Sequence, residues 1–276
     1  MNDTKLNKMH YKKVLTIAGS DSGGGAGIQA DIKSISACGC YASSVITAIT
    51  AQNTMGVRDI HPIPNSILKS QIEAVLDDIG TDAIKIGMLH SSESIQVVAS
   101  CLDQYQIKNV VLDPVMVATS GDKLLKDEAI AYLKTLLFPK VRIITPNLPE
   151  AEIILGRKIT SQSEIGTVAK ELAKKFQVSV LLKAGHLNAD ILTDVLYDFE
   201  NSICIELPSK RIKSVNTHGT GCSLSSALAA FLAKGFNISE SAQRAKEYIT
   251  ESIKAGADYK IGKGHGPVHH FHQFWK

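Results

Sequence analysis

Val14-Leu15-Thr16-Ile17-Ala18 leads directly into Gly19-Ser20-Asp21-Ser22-Gly23-Gly24-Gly25-Ala26-Gly27, after which Ile28, Ile32 and Ile35 recur at helical spacing. A short, continuously apolar, β-prone run suits a strand buried on both faces, as in a parallel sheet. Strand, glycine loop and helix in succession predict the opening unit of an α/β sheet. Two familiar phosphate loops are excluded by spacing. A dinucleotide fingerprint needs a third glycine where Ile28 stands, and the P-loop needs a Gly-Lys-Ser/Thr ending that is absent. The loop therefore reads as a wall of a substrate pocket. Asp31, one turn inside the helix, faces the same end as the loop, although an acid in a first turn also simply suits the helix dipole.

The same rhythm continues along the chain. Ser44-Val45-Ile46-Thr47-Ala48-Ile49-Thr50 is strongly β-prone and runs into Gln52, which places a carboxamide at a strand end where α/β enzymes keep ligand contacts. Val57 to Ile63 reads as an extended edge or flap, because Pro62 and Pro64 cannot donate to a ladder. Helical spacing follows in Ile72, Val75, Leu76 and Ile79, then a strand at Ala83-Ile84-Lys85-Ile86 ending in Gly87-Met88. Ile95, Val98, Leu102 and Tyr105 mark the next helix, and Val110-Val111-Leu112 the strand that ends at Asp113-Pro114-Val115. Thr119-Ser120-Gly121-Asp122 reads as a mobile loop. Further units are a strand at Val141 to Thr145, a helix from Ile165 to Phe176, and a strand at Val178 to Lys183. Asp194 to Asp198 and Ser202 to Leu207 suit an antiparallel hairpin at the sheet edge. Alternation on this scale predicts one domain, residues 14–276 behind a loose polar leader of residues 1–13, with a mostly parallel sheet covered on both faces.

Asn216-Thr217-His218-Gly219-Thr220-Gly221-Cys222 precedes Leu224, Leu228, Phe231 and Leu232 at helical spacing, with Gly235 just past the end. The first N–H groups of such a helix lack intrahelical partners, and the glycines let a ligand approach them. Gly219, Thr220 and Gly221 thus form a candidate cradle for phosphate or for the charge that develops during phosphate transfer. Cys222 stands at its mouth, where a helix N-terminus is expected to lower the thiol pKa and make it a proton acceptor or nucleophile; the alternative is a small packing residue.

A net charge of +3 on 276 residues, with dispersed lysines, points away from nucleic acid and toward small molecules. Five cysteines without framework spacing, and no secretory signal, suggest a reducing cytosol. No apolar run approaches a membrane span. The histidine-dense run from Gly262 to His272 lacks carboxylates or cysteines at ligand spacing and reads as an extended tail rather than a metal site.

Taken together, Thr16 to Asp21, Gly23 to Asp31, Ala51-Gln52-Asn53-Thr54, Lys85 to Met88, Asp113-Pro114-Val115-Met116, Thr145 to Glu152, His218 to Cys222 and Gly266 to Phe271 resemble the hydroxymethylpyrimidine/phosphomethylpyrimidine kinases of thiamine biosynthesis, within the ribokinase-like superfamily. The motifs keep the family's order from about Val14 to Phe271. The resemblance implies a three-layer α/β sandwich and an ATP-dependent, Mg²⁺-assisted kinase. Gly19, Asp31, Gln52, Met88 and Val115 match positions lining the pyrimidine pocket. Asn147 and Glu150 match the Mg–ATP motif, with Asp113 a further candidate near the cation, and Lys183 matches a residue associated with the nucleotide phosphates. Cys222 matches the pyrimidine-kinase branch and some pyridoxal kinases, whereas many superfamily members carry aspartate there. Ser20 and Ala184 depart from the common threonine and glycine, both conservatively.

The implied partners are a pyrimidine substrate and ATP in the cytoplasm, with no nucleic acid or membrane partner and a homodimer left open. Two readings compete with this one. Pyridoxal also offers a hydroxymethyl group on a six-membered nitrogen ring, and a noncatalytic vitamin-binding protein could keep the same fold. Retention of Cys222, Lys183, Glu150 and the Gly-Thr-Gly turn argues against the last.

Overall fold

The computed structural model describes residues 10–116, 127–185 and 190–275. The expected leader falls largely in residues 1–9, outside the described residues, as do Thr119-Ser120-Gly121-Asp122. In chain order the elements are β1 (Lys13–Ala18), α1 (Gly27–Ala37), β2 (Tyr41–Ile46), β3 (Ala48–Asn53), β4 (Gly56–Pro62), α2 (Asn65–Asp78), β5 (Ala83–Ile86), α3 (Ser92–Tyr105) and β6 (Val110–Leu112). They continue with α4 (Asp127–Tyr132), β7 (Ile143–Ile144), α5 (Leu148–Leu155), α6 (Ile165–Phe176), β8 (Ser179–Leu182), β9 (Ile191–Asp198), β10 (Ile203–Lys210), α7 (Thr220–Ala233) and α8 (Ile238–Gly256). β1 starts at Lys13, one residue before the expected boundary, because the Lys13 N–H donates to Asp82 at 2.8 Å and so ties that end down.

Eight strands form one sheet in the order β10-β9-β8-β7-β6-β5-β1-β2, parallel except where β9 runs against both β8 and β10. Strand alternation sends Leu15, Ile17, Ile84, Ile86, Leu112 and Ile144 to one face, against α2, α3 and α6. Val14, Val111, Ile143 and Leu181 face the other way, against α1, α7 and α8. Each such side chain contributes about 1.5–3 kcal/mol by leaving water, which is why continuously apolar strands stay in the middle layer. No helix among the described residues is long and apolar enough to cross a membrane.

The stretch from Ser44 to Thr50 is not one strand. β2 ends at Ile46, whose N–H and carbonyl are both taken by the side-chain amide of Gln71 at 2.9 and 3.1 Å. Thr47 turns the chain out of the sheet, donating its N–H to Ala18 O at 3.0 Å and its hydroxyl to Met88 O at 2.7 Å. β3 and β4 then pair antiparallel as a separate two-stranded flap, so Gln52 lies on this flap rather than at the carboxyl edge of the main sheet.

The edge hairpin expected near Asp194 and Leu207 is present as β9 and β10. Helix α8 adds an element beyond the expected ones, and the sequence carries its signal. Asn237 and Glu240 form a reciprocal capping box, and Ile238, Ala242, Ala245 and Ile249 follow at helical spacing. The C-terminal run is also docked rather than free. The Tyr248 hydroxyl donates to His270 O at 2.9 Å, and the His269 ring packs 4.2 Å from that of Trp275, centroid to centroid. Burial pushes the His270 imidazole down to about 3, so it sits in the tail as a neutral hydrogen-bonding ring, 3.1 Å from Ser223 Oγ.

Candidate active site

A cavity of about 770 Å³ opens above the carboxyl ends of the parallel strands, beside the point where the strand order turns around β1. Gly19, Gln52, Met88, Val115, Asp113, Asn147, Glu150, Lys183 and Gly219-Thr220-Gly221-Cys222 all border it. Asp31 does not. It is wholly buried behind the wall, with both carboxylate oxygens 2.8 Å from Lys85 Nζ and hydrogen bonds from Thr16 Oγ1 at 2.6 Å and Ser226 Oγ at 2.8 Å. Lys85 is fully buried as well, and the missing side chain of Gly87 makes room for its ammonium group. Burial opposes the Lys85 charge, but the adjacent Asp31 outweighs it and raises the pKa.

Three polar residues stand immediately after three neighbouring parallel strands: Asp113 after β6, Thr145 after β7 and Lys183 after β8. The apolar strands hold them in a row, because each is the first residue past the buried run. Lys183 Nζ lies 2.8 Å from Asp113 Oδ1, which also accepts from Thr145 Oγ1 at 2.9 Å. Burial by itself would push Asp113 up, but Lys183 and then Lys85 hold it below the usual carboxylate range. Gly221 rests on this pair, since a Cβ there would stand 3.3 Å from Lys183 Nζ and 3.4 Å from Asp113 Oδ2.

Glu150 closes a capping box at the start of α5. Its carboxylate accepts from Asn147 N at 2.8 Å, and Asn147 Oδ1 accepts from Glu150 N at 2.9 Å. Burial pushes the Glu150 carboxyl up to about 7, against the pull of Lys183 and with the help of Asp113. Among the described residues no group of three or more His, Cys, Asp or Glu side chains could hold a metal ion. Asp113 and Glu150, two acids that both border the cavity, suit Mg²⁺, which binds through one or two carboxylates and keeps water and phosphate as its other ligands.

Cys222 corrects an expectation. Burial pushes its thiol up to about 11, opposed by Lys85 and the Gly27 N–H and reinforced by Asp31 and Asp113. Loss of water around the sulfur outweighs the Lys85 charge and the Gly27 N–H, and two carboxylates disfavour a further negative charge. In the free protein Cys222 is a thiol at neutral pH.

The glycine loop and the Gly-Thr-Gly turn interlock through Asp21 and His218, two residues to which the sequence motifs assign no role of their own. Asp21 accepts from the N–H groups of Gly23, Gly25 and Ala26 at 2.8, 3.0 and 2.8 Å. His218 Nε2 lies 2.9 Å from Asp21 Oδ2 and 3.4 Å from Gln52 Nε2. Burial tends to raise Asp21, but the His218 hydrogen bond and the loop N–H groups lower it, so the carboxylate only accepts and His218 Nε2 holds the shared proton. Asp21 was detectable as an aspartate two residues before a glycine run, an arrangement that gathers backbone N–H groups.

At Gly219, φ is 76°, and a Cβ would overlap the carbonyl of Gly25. Gly219→Ala is expected to part the two loops and lower turnover by about 100-fold. Steady-state assay checks this, and a loss below about threefold would mean the loops need not touch.

A family model described as phosphomethylpyrimidine kinase matches residues 21–269, a span that runs from the Asp21 loop to the docked tail. The chain belongs to the phosphomethylpyrimidine kinase family. The hydroxymethylpyrimidine/phosphomethylpyrimidine kinase of Rhizobium meliloti (strain 1021) is 47% identical over 263 residues, covering 95% of this chain and 98% of that protein. The crystal structure of phosphomethylpyrimidine kinase from Clostridium difficile 630 superposes with a TM-score of 0.77 at 45% identity, over 88% of this chain and 99% of that one. Bacillus subtilis pyridoxal kinase in an ADP complex superposes with a TM-score of 0.86 at 36% identity, over 95% and 98%. The phosphomethylpyrimidine kinase fold here is thus the ribokinase-like sandwich that the motifs implied, shared with kinases of another ring.

Proposed function

We propose that this chain phosphorylates the hydroxymethyl group of 4-amino-5-hydroxymethyl-2-methylpyrimidine with ATP, and then phosphorylates the resulting monophosphate, as the hydroxymethylpyrimidine/phosphomethylpyrimidine kinase of thiamine biosynthesis. The observation that carries this reading is a single cavity bordered by a ring-reading carboxamide, Gln52, and by a phosphate-neutralising set, Lys183 and the Gly219–Gly221 backbone, with Cys222 also on its wall. Phosphoryl transfer needs alignment and charge neutralisation more than covalent help. The substrate oxygen attacks the γ-phosphorus, the bond to the bridging oxygen of ADP breaks, and the hydroxyl proton passes to Cys222 Sγ in its thiolate form, the minor form at neutral pH. Lys183 and the N–H groups of the turn take up charge on the moving phosphoryl oxygens. The ADP bound to the Bacillus subtilis relative supports ATP as donor. Glu150 and Asp113 would hold Mg²⁺, directly or through water, and the ion would supply further neutralisation of phosphate charge.

Backbone likeness to pyridoxal kinase favours a second reading, pyridoxal as substrate. Gln52 separates the two. Its amide offers one donor and one acceptor, which match the amino group and adjacent ring nitrogen of an aminopyrimidine; pyridoxal has no such pair. Gln52→Leu is expected to lower kcat/KM for hydroxymethylpyrimidine about tenfold or more while changing pyridoxal turnover much less, because buried groups built to pair cost about 1–3 kcal/mol each when left unpaired. A coupled ADP-release assay with both substrates checks this. Equal losses would reduce Gln52 to a scaffold residue, and a parent preference for pyridoxal would overturn the substrate.

A further inference from the structure

Gln52 and His218 stand side by side on the cavity wall, their Nε2 atoms 3.4 Å apart in a packing contact because both nitrogens carry hydrogen; they come from distant parts of the chain, and one short C-terminal segment touches both sides. Gln52 belongs to the β3–β4 flap, a two-stranded sheet of a kind that is marginally stable on its own. At the flap turn, Thr54 Oγ1 accepts from the N–H groups of Lys263 at 3.3 Å and Gly264 at 3.2 Å. The Thr54 carbonyl accepts from His265 N at 3.0 Å. A Cβ on Gly262 or Gly264 would overlap Thr54, so glycine at both positions is what lets the segment come this close. Two residues further on, Gly266 O accepts from His218 N at 3.0 Å, and Gly266 packs against the Asn216 side chain. Asn216 in turn donates to the carbonyls of Gly256 at 2.7 Å and Tyr259 at 2.5 Å, which anchors the segment to the end of α8. The base of the flap is also tied to the glycine loop, by Ser20 N donating to Ala48 O and Thr50 Oγ1 donating to Ser20 O, both at 2.8 Å, and by the exposed reciprocal contact of Ser22 Oγ with the Gln52 backbone at 2.7 and 2.8 Å; the C-terminal segment is what holds its turn.

We infer that Thr54, Gly262 and Gly264 form a clamp through which the C-terminal segment sets the position of Gln52 against His218, and so the selectivity of the cavity for an aminopyrimidine ring. These are positioning residues, and the inference rests on the reading of Gln52 given above. The clamp acts on the side of the cavity that meets the ring and leaves the Lys183–Asp113 side untouched. Its loss therefore weakens pyrimidine binding selectively.

The test uses the full chain. Gly264→Ala is expected to speed hydrogen exchange of amides in residues 48–62 about tenfold and to raise KM for hydroxymethylpyrimidine about tenfold, with KM for ATP and exchange in α7 changing less than about twofold. Thr54→Val removes the acceptor of two N–H groups without adding bulk and is expected to give the same pattern at about threefold. It carries the test if Gly264→Ala does not fold. Unchanged flap exchange in these variants overturns the clamp, as does a rise in KM for ATP equal to that for the pyrimidine. Gln52→Leu distinguishes the two readings. If it leaves pyrimidine kinetics unchanged while Gly264→Ala still raises KM, the Gln52 contact falls and the clamp on the flap stands. If Gln52→Leu shows its loss and Gly264→Ala shows none, the clamp falls.

Discussion

Replacing Cys222 by serine is expected to lower turnover by about 10²–10³-fold and to abolish the steep rise with pH expected of the parent. The thiol is raised to about 11 by burial, with Asp31 and Asp113 adding to the shift against Lys85 and the Gly27 N–H. Only the thiolate accepts the substrate proton. With the thiol above the assay range, its thiolate fraction, and hence kcat/KM, should grow about tenfold per pH unit between pH 7 and 9. Serine has no accessible anion in that range, so its slope should be near zero. The same rise should appear without substrate, as the rate of Cys222 alkylation followed by mass spectrometry. A parent profile that is flat from pH 7 to 9 would remove Cys222 as the base and leave alignment and charge neutralisation to carry the reaction.

Lys183→Met should cost both activity and stability, for separable reasons. Lys183 is the ion-pair partner of Asp113, which is only 3% exposed. Removing one member of a buried pair leaves its partner's charge poorly compensated; because Lys85 and Thr145 still support Asp113 and the pair borders a cavity that admits water, the expected loss is about 3 kcal/mol, the low end of the usual range. Turnover should fall by about 10³-fold with the loss of a donor to the phosphoryl oxygens. The sign of the pH dependence follows from Asp113. Its folded-state pKa is depressed, so the stability it brings is present above the ordinary aspartate pKa and disappears as pH falls through the folded value. The deficit of Lys183→Met should therefore be largest at neutral pH and shrink in acid. Adding Asp113→Asn should restore the melting temperature without restoring turnover. If the double variant melts as low as the single one, the pair is not what stabilises this end of the sheet.

Much of the site was legible because its residues sit where a change of pattern marks an element's end. Asp113 and Lys183 each follow an apolar β-prone run, and Gly219, Thr220 and Gly221 precede a run at helical spacing. Local chemistry suffices for such assignments, since strand ends and helix starts are set by neighbours in sequence. Asp31 was harder. Its position one turn inside α1 was readable, but its burial depends on Lys85, which lies 54 residues away and turns a candidate pocket residue into half of an internal ion pair. Cys222 misled in a similar way, because its helix start argues for a low thiol pKa while the carboxylates packed around it come from α1 and from the end of β6.

From the sequence alone came the α/β rhythm, the single mostly parallel sheet, the glycine loop with no dinucleotide fingerprint, and the kinase resemblance resting on ordered motifs. These depend on periodicity and on short-range turn chemistry, which are properties of adjacent residues. The tertiary structure alone decided that Ser44 to Thr50 divides into a sheet edge and a flap, because the Gln71 amide that ends β2 lies 25 residues further on. It alone decided that Asp21 and His218 lock two loops together across 197 positions, and that the tail from Gly262 to Pro267 grips the flap at Thr54. Hydrogen bonds between segments so far apart leave no periodic trace in the chain; they exist only once the packed core has brought their ends within reach.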